Sequence, residues 1–316
     1  MNNNIDKPVK ALIELPSWLG DVVMTTPAIE NIIDYYSNIE ITIIGPQTSI
    51  EIIKNHPKVV KTITLDSKTR SLFIPFAKND LFDVFFTFRG SIRAKFLKFR
   101  VKALKKYQFN YKNYPNRHQV EKYVDFINYS LSSHYPAGKL ISHFNKSNNN
   151  SKILGINPGA SYGSAKRWYP DQFAKVAIAL SDKFDIMIFG GIGEKKFAQQ
   201  IEKHLLNNHI YNFQNLAGKT SISELTDYIS NLDIFITGDS GPMHLAASLE
   251  IPTIAIFGPT NSIETSQWKN SKSVIIKKNL DCQPCMKRTC PLKHHNCMKL
   301  IDAQEVIDSI SNIRKY

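Results

Sequence analysis

Nowhere in the 316 residues does an apolar run approach the roughly 18 consecutive residues that cross a bilayer. The first ten residues are polar and carry no apolar core of a secretory leader, so the expected location is the cytoplasm. The turn after the first apolar run has one glycine and not G-x-G-x-x-G, which disfavours a nicotinamide-dependent oxidoreductase. The small-residue loop at 158–168 has no Gly-Lys-Ser/Thr, so it is not a Walker loop. No repeat recurs at the periods of solenoids. Cysteine is scarce, and all four lie between Cys282 and Cys297. Acidic residues are too few to balance the basic ones, 27 against 40.

What is present is ordinary for a soluble enzyme, 42% hydrophobic and 21% charged. A single core stops growing near about 250–300 residues, so two domains are expected. Apolar, β-rich runs alternate with helical patterns, the rhythm of βα units on parallel sheets. Strands are expected at 9–15, 40–45, 59–65 and 83–88, and again at 152–157, 185–190, 233–237 and 253–257. A helix is expected from about 22 to 36, with Pro27 tolerated only near its start. Further helices are expected over 172–181 and 303–313, the packing of the last left open. The polar stretch 145–151 reads as a linker between an N-terminal domain, 1–144, and a C-terminal domain, 152–316.

Open α/β sheets bind ligands at the carboxyl ends of their strands, and three clusters fall there. Asp21, after Gly20, lies at a strand-to-helix corner, where it reads either as a helix cap or as a general base in the interdomain cleft. Residues 158–168 are small and then cationic, with Ala160, Ser161, Lys166 and Arg167 suited to a diphosphate. Asp239, Ser240, Gly241 and His244 open a helix whose free N–H groups and partial positive charge attract an anion, although Asp239 also reads as a helix cap and His244 as a structural residue, and Gly258, Pro259 and Thr260 could line the same crevice. Glu194 follows another strand and reads as a ribose acceptor or a helix-starting acid.

Charge is concentrated between Arg89 and Lys122, with eleven cations against Glu121 alone and aromatics interleaved. The readings are a solvated helix face or a surface for phosphate-rich ligand, anionic membrane or nucleic acid. The Cys282, Cys285, Cys290, Cys297 segment, with His294 and His295, allows a zinc knuckle, an unmetallated loop or disulfides. A zinc knuckle beside basic and aromatic residues is the signature of a nucleic-acid binder, but it leaves the strand-end clusters unexplained.

Taken in order, the clusters resemble the ADP-heptose:lipopolysaccharide heptosyltransferases of glycosyltransferase family nine over nearly the whole chain. Residues 19–23 with 25–28 look like its N-terminal signature, 159–168 like its phosphate loop, and Asp239-Ser240-Gly241 with His244 like its donor motif. The 166–168 and 282–298 segments look most like the second heptosyltransferase of inner-core assembly. The resemblance implies the GT-B fold, two Rossmann-like domains with parallel sheets facing across a cleft, and an inverting transfer from ADP-heptose without a divalent metal or other cofactor. It implies Asp21 as base, and Lys166 with Ser161 and the N–H groups of Ser240 and Gly241 on the leaving ADP. Asp239 and His244 would hold heptose or its phosphate, and Glu194 the ribose. Arg89, Arg93, Lys95 and Lys98 would receive the lipopolysaccharide inner-core acceptor at the inner face of the cytoplasmic membrane, with no nucleic-acid partner.

Overall fold

The structure, a computed structural model, describes residues 7–65, 80–144 and 151–313, so most of the expected linker lies outside the described residues. The chain divides into two units, Met1–His143 and Phe144–Tyr316.

In the first unit the runs rich in Ile, Val and Phe become β1 (Val9–Glu14), β2 (Ile39–Gly45), β3 (Val59–Thr64) and β4 (Phe82–Thr87), joined by α1 (Leu19–Tyr36) and α2 (Gln47–Ile53). After them come α3 (Ile92–Arg100), β5 (Ala103–Gln108) and α4 (Gln119–Leu131). All pairings are parallel, in the order β3-β2-β1-β4-β5. The order reverses between β1 and β4, which opens a crevice at their carboxyl ends. β5 escapes sequence pattern because Leu104, Lys105 and Lys106 give it no apolar alternation; at the sheet edge only part of its surface needs covering.

Helix α1 corrects one expectation. It begins at Leu19, three residues early, and Pro27 sits well inside it. A mid-helix proline deprives the carbonyl four residues earlier of its N–H donor. Here that carbonyl is Val23 O, and the Thr26 hydroxyl donates to it at 2.8 Å. The Thr25 hydroxyl donates likewise to Val22 O.

The second unit repeats the winding with β6 (Ile153–Asn157), α5 (Pro170–Leu180), β7 (Asp185–Ile188), α6 (Lys195–Asn207), β8 (Phe213–Asn215), α7 (Ile222–Ser230), β9 (Ile234–Gly238), α8 (Gly241–Ser248) and β10 (Thr253–Phe257). It ends with α9 (Ser262–Thr265), β11 (Ser273–Lys277), α10 (Asn296–Lys299) and α11 (Ala303–Ile313). The sheet is parallel, in the order β11-β10-β9-β6-β7-β8, and its reversal falls between β6 and β9. Helix α11 packs on α5, with Val306 and Ile310 in the main core of this unit.

Candidate active site

At the β6/β9 reversal the two strand ends are tied by one side chain. The Asn157 amide donates to Thr237 Oγ1 and Ser240 Oγ, both at 3.1 Å. This fixes the start of α8, where Ser240 is the N-cap and Gly241 the first helical residue. Asp239 is therefore not a cap. Its buried carboxylate accepts from Lys166 Nζ at 2.6 Å and from Thr260 Oγ1 at 2.6 Å, both on Oδ2. Lys166 also reaches Asp239 O at 3.3 Å and stands 4.8 Å from the Tyr162 ring centroid. Lys166, Asp239 and Thr260, from three separate loops, thus form one cluster, with Ser240 and Gly241 beside Asp239 at the head of α8.

Glu194 lies against the same loop from the other side. It is buried, Gly191 N–H donates to its Oε2 at 2.7 Å, and a Cβ on Gly159 would stand 2.3 Å from its Cγ, so only glycine admits this approach. Ala160 is buried and Ser161 exposed on that loop. His244 is buried in the first turns of α8. Arg167 departs from the group: its guanidinium stacks 5.0 Å from the Phe197 ring centroid, on α6. The next residue explains the firmness of the loop, since buried Trp168 packs edge-on against Phe173 and donates its N–H to Ile301 O.

The cysteine segment is a buttress for these loops. Ala165 N–H donates to Arg288 O, Tyr162 Oη to Met286 O, and the Gln283 amide to Gly258 O. Met286 N–H donates to Pro259 O, and a Cβ on Gly163 would collide with Arg288 O at 2.3 Å. The four thiols are unpaired and line one small apolar cavity with Ala165, Pro259 and His294. Burial, then the neighbouring thiols, push the Cys297 thiol up to about 11. Bonded in this way to the 158–168 and 258–260 loops, the segment presents no separate nucleic-acid module, and the zinc-knuckle binder reading has no support.

In the first unit Asp21 occupies the third position of α1, behind the N-cap Trp18, and is half-buried. The buried Tyr123 hydroxyl, on α4, hydrogen-bonds to the Asp21 carboxylate and is itself bonded by the Gln119 side chain. Burial first, then the Asp21 charge, raise the Tyr123 phenol well above its ordinary value, so it stays protonated as a donor. Gly20 lies one residue earlier, in the same first turn. Sequence reasoning missed Tyr123, because a partner a hundred residues away in an apolar helical stretch leaves no local signal.

The Arg89–Lys122 stretch is not one surface. Arg89 turns inward to Glu14 Oε1 at 3.4 Å, at the β1/β4 reversal, where the Thr87 hydroxyl holds Glu14 Oε2 at 2.6 Å. Burial raises the Glu14 carboxyl above its usual range, with Thr87 and Arg89 opposing. Arg117 pairs with Glu121 and Asp125, and Lys122 is buried on α4. Arg93, Lys95 and Lys98 remain together on α3, and among the described residues no carboxylate pairs with them.

A family model described as glycosyltransferase family 9 (heptosyltransferase) matches residues 81–296. The chain belongs to that family. It is 39% identical to lipooligosaccharide heptosyltransferase 2 of Campylobacter jejuni, over 97% of this chain and 99% of that protein. Among solved structures it resembles the ADP-heptose lipopolysaccharide heptosyltransferase II of Escherichia coli, with TM-score 0.78, 19% identity and coverage of 96% and 98%. A family 9 glycosyltransferase of Veillonella parvula gives TM-score 0.81, 18% identity and coverage of 98% and 99%. The protein is a glycosyltransferase, and its fold is GT-B.

Among the described residues, one group brings three potential metal ligands within 4.8 Å of one another: Glu30, His56 and His143, all in the first unit. His56 Nδ1 accepts the Lys58 N–H at 3.0 Å, so in the neutral ring Nε2 carries the proton, 3.1 Å from Glu30 Oε1. A metal at Nε2 would have to displace that hydrogen bond.

Proposed function

We propose that this glycosyltransferase moves heptose from ADP-L-glycero-D-manno-heptose to the heptose of the lipopolysaccharide or lipooligosaccharide inner core, with inversion and without a divalent metal. The observation that carries the reading is the Lys166–Asp239–Thr260 cluster at the head of α8. A diphosphate leaving group gains charge as the glycosidic bond breaks, and preorganised positive groups aimed at that charge are usually the largest catalytic contribution. Lys166 is held in place before substrate arrives, and the free N–H groups at Ser240 and Gly241 add the helix's partial charge. Ser161 lies on the same loop as Lys166, and Glu194 under it is the ribose candidate. His244 and Asp239 are the candidates for the sugar and its phosphate.

Asp21 takes the proton of the acceptor hydroxyl as that oxygen attacks the anomeric carbon. The bond to the diphosphate breaks on the opposite face, and ADP leaves with the electron pair. Tyr123, pinned by Gln119, orients the carboxylate for this task. Arg93, Lys95 and Lys98 receive the anionic core, and the basic face of α3 meets the anionic membrane in which that core is anchored. The names of the relatives, which include lipooligosaccharide heptosyltransferase 2, support this donor and acceptor. No helix among the described residues is long and apolar enough to cross a membrane.

The test is incubation with ADP-heptose and core acceptors carrying no heptose or one heptose, read by mass spectrometry. Addition of one heptose to the singly substituted acceptor is the expected result. Transfer only to the unsubstituted acceptor would move the enzyme to another core position, and no transfer to either would sink the reading.

A further inference from the structure

Helix α3 carries two apolar stripes. Ala94 and Leu97 are buried and, with Val101 beyond the helix end, seal it to the sheet. On the other side Ile92, Phe96 and Phe99 are 88%, 41% and 83% exposed. Their spacing of four and then three residues, at about 100° per residue, gathers them within about 60° of the helix circumference. Single exposed apolar residues are common on protein surfaces, but an aligned stripe on a helix whose core face is already satisfied marks a contact surface. By the same geometry Arg93 and Arg100 flank the stripe on one side and Lys95 and Lys98 on the other. Arg100 lies 5.9 Å from the Phe96 ring centroid. Lys102 is exposed just before the neighbouring edge strand β5, which carries exposed Leu104 and Lys105.

We propose that α3 lies in the surface of an anionic bilayer, with Ile92, Phe96 and Phe99 in the headgroup–acyl boundary and the flanking cations on the headgroups. This rests on the membrane contact offered under the proposed function and makes it specific: insertion of three named side chains, not attraction of charge alone. A helix with an apolar stripe bordered by Lys and Arg is built for that interface, since the long cationic side chains reach outward while the rings sink. A second copy of this chain is the poorer occupant. Stacking the face on itself would bring the two sets of like charges together.

The experiment is sedimentation of the full chain with phosphatidylcholine vesicles containing phosphatidylglycerol, and with phosphatidylcholine alone, at low and high salt. Wild type should bind the anionic vesicles and keep part of that binding at high salt, because burial of apolar surface is not screened. The I92S/F99S double variant should lose about tenfold or more in partitioning, given the weight of two buried large side chains, and all of the salt-resistant part. Its affinity for ADP and its melting temperature should match wild type. An F99W variant should gain fluorescence quenching by lipids brominated in the acyl chain, above that of wild type. If wild type fails to sediment with anionic vesicles, the membrane contact itself falls. If wild type binds but the double variant binds equally, or F99W gains no quenching, charge alone makes the contact and insertion is wrong. A concentration-dependent dimer abolished by I92S/F99S, with vesicle binding unchanged, would assign the stripe to self-association instead.

Discussion

The cations of the two units live under opposite conditions. In the second unit Lys166 is nearly buried, 2.6 Å from the Asp239 carboxylate, at the head of a helix and on a loop anchored by Trp168. In the first unit Arg93, Lys95 and Lys98 stand on α3 with no carboxylate beside them among the described residues. A buried, paired charge keeps its geometry and is little affected by salt, whereas exposed charges act through solvent and are screened beyond about 10 Å at 0.1 M salt. The contrast is what the two proposed tasks call for. A leaving group needs one charge held at one place, while a bulky anionic acceptor on a membrane needs attraction over an area.

The sharpest test of this division is the residue that joins the tasks. Asp21→Asn should leave ADP affinity unchanged and lower turnover by a factor of about 10²–10⁴, because the amide cannot take the proton. Turnover like wild type would remove Asp21 from the chemistry. Tyr123→Phe gives a milder version: kcat should fall and donor affinity hold, and restoring a donor as Tyr123→His should recover part of the loss. Lys166→Ala should follow Asp21→Asn in size, about 10²-fold or more in kcat/KM, with the ADP dissociation constant rising as well. An unchanged ADP dissociation constant from titration calorimetry would break the assignment of the buried cation to the donor.

Much of this division was legible in the sequence. Strands buried on both faces announce themselves by β-rich runs, and the clusters at 158–168 and 239–244 stood at strand ends, where the parallel fold puts ligand loops. Illegible were the links that close only in three dimensions. Asp239 read as a cap or a sugar ligand, yet its carboxylate holds Lys166, 73 residues away in sequence. Arg167 read as a phosphate ligand beside Lys166, but Lys166 closes a 3-10 turn that the chain leaves in extended form at Arg167, whose guanidinium lies on Phe197. The basic stretch read as one surface, because counting charges cannot foresee that Arg89 turns to Glu14 or that Lys122 is buried. Pro27 read as tolerable only near a helix start because the rule for proline does not count the hydroxyl of Thr26, which bonds the carbonyl of Val23 within the same turn.

The exposed side of the comparison is tested by charge removal. Replacing Arg93, Lys95, Lys98 and Lys102 together by Gln should raise the acceptor's apparent KM by about tenfold at low salt and flatten its salt dependence, while ADP affinity stays put. Identical kinetics on membrane-embedded acceptor would return α3 to a merely solvated face. Glu14→Gln probes Arg89, the basic residue of the stretch that is anchored on a β1 carboxylate. With its carboxyl raised by burial, Glu14 in the folded chain holds its proton longer than in the unfolded chain, whose ordinary value is 4.5. Its contribution to stability is therefore full below about that pH and is lost as pH rises through the higher folded value. The melting temperature of Glu14→Gln should gain on wild type over that interval and then run parallel to it. Curves parallel throughout would mean that Glu14 titrates alike in both states.

The smallest effect expected is none. Transfer should proceed at the same rate in EDTA, because the positive field that a divalent ion would supply to the diphosphate is already supplied by Lys166 and the N–H groups at Ser240 and Gly241. The carboxylates nearest that field are engaged by protein partners, Asp239 by Lys166 and Thr260, and Glu194 by the Gly191 N–H. A magnesium ion bridging protein and diphosphate needs one or two carboxylates open to it, and an ion on Asp239 would set a second positive charge beside Lys166, which already pairs with that carboxylate. The Glu30, His56 and His143 group lies in the other unit, with its imidazole proton already committed to Glu30. The decisive measurement is initial rate with EDTA, without it, and after addition of magnesium or manganese. Loss of transfer on chelation, with recovery on adding either ion, would show that the Lys166 field is insufficient and that the buried half of the comparison depends on a metal after all.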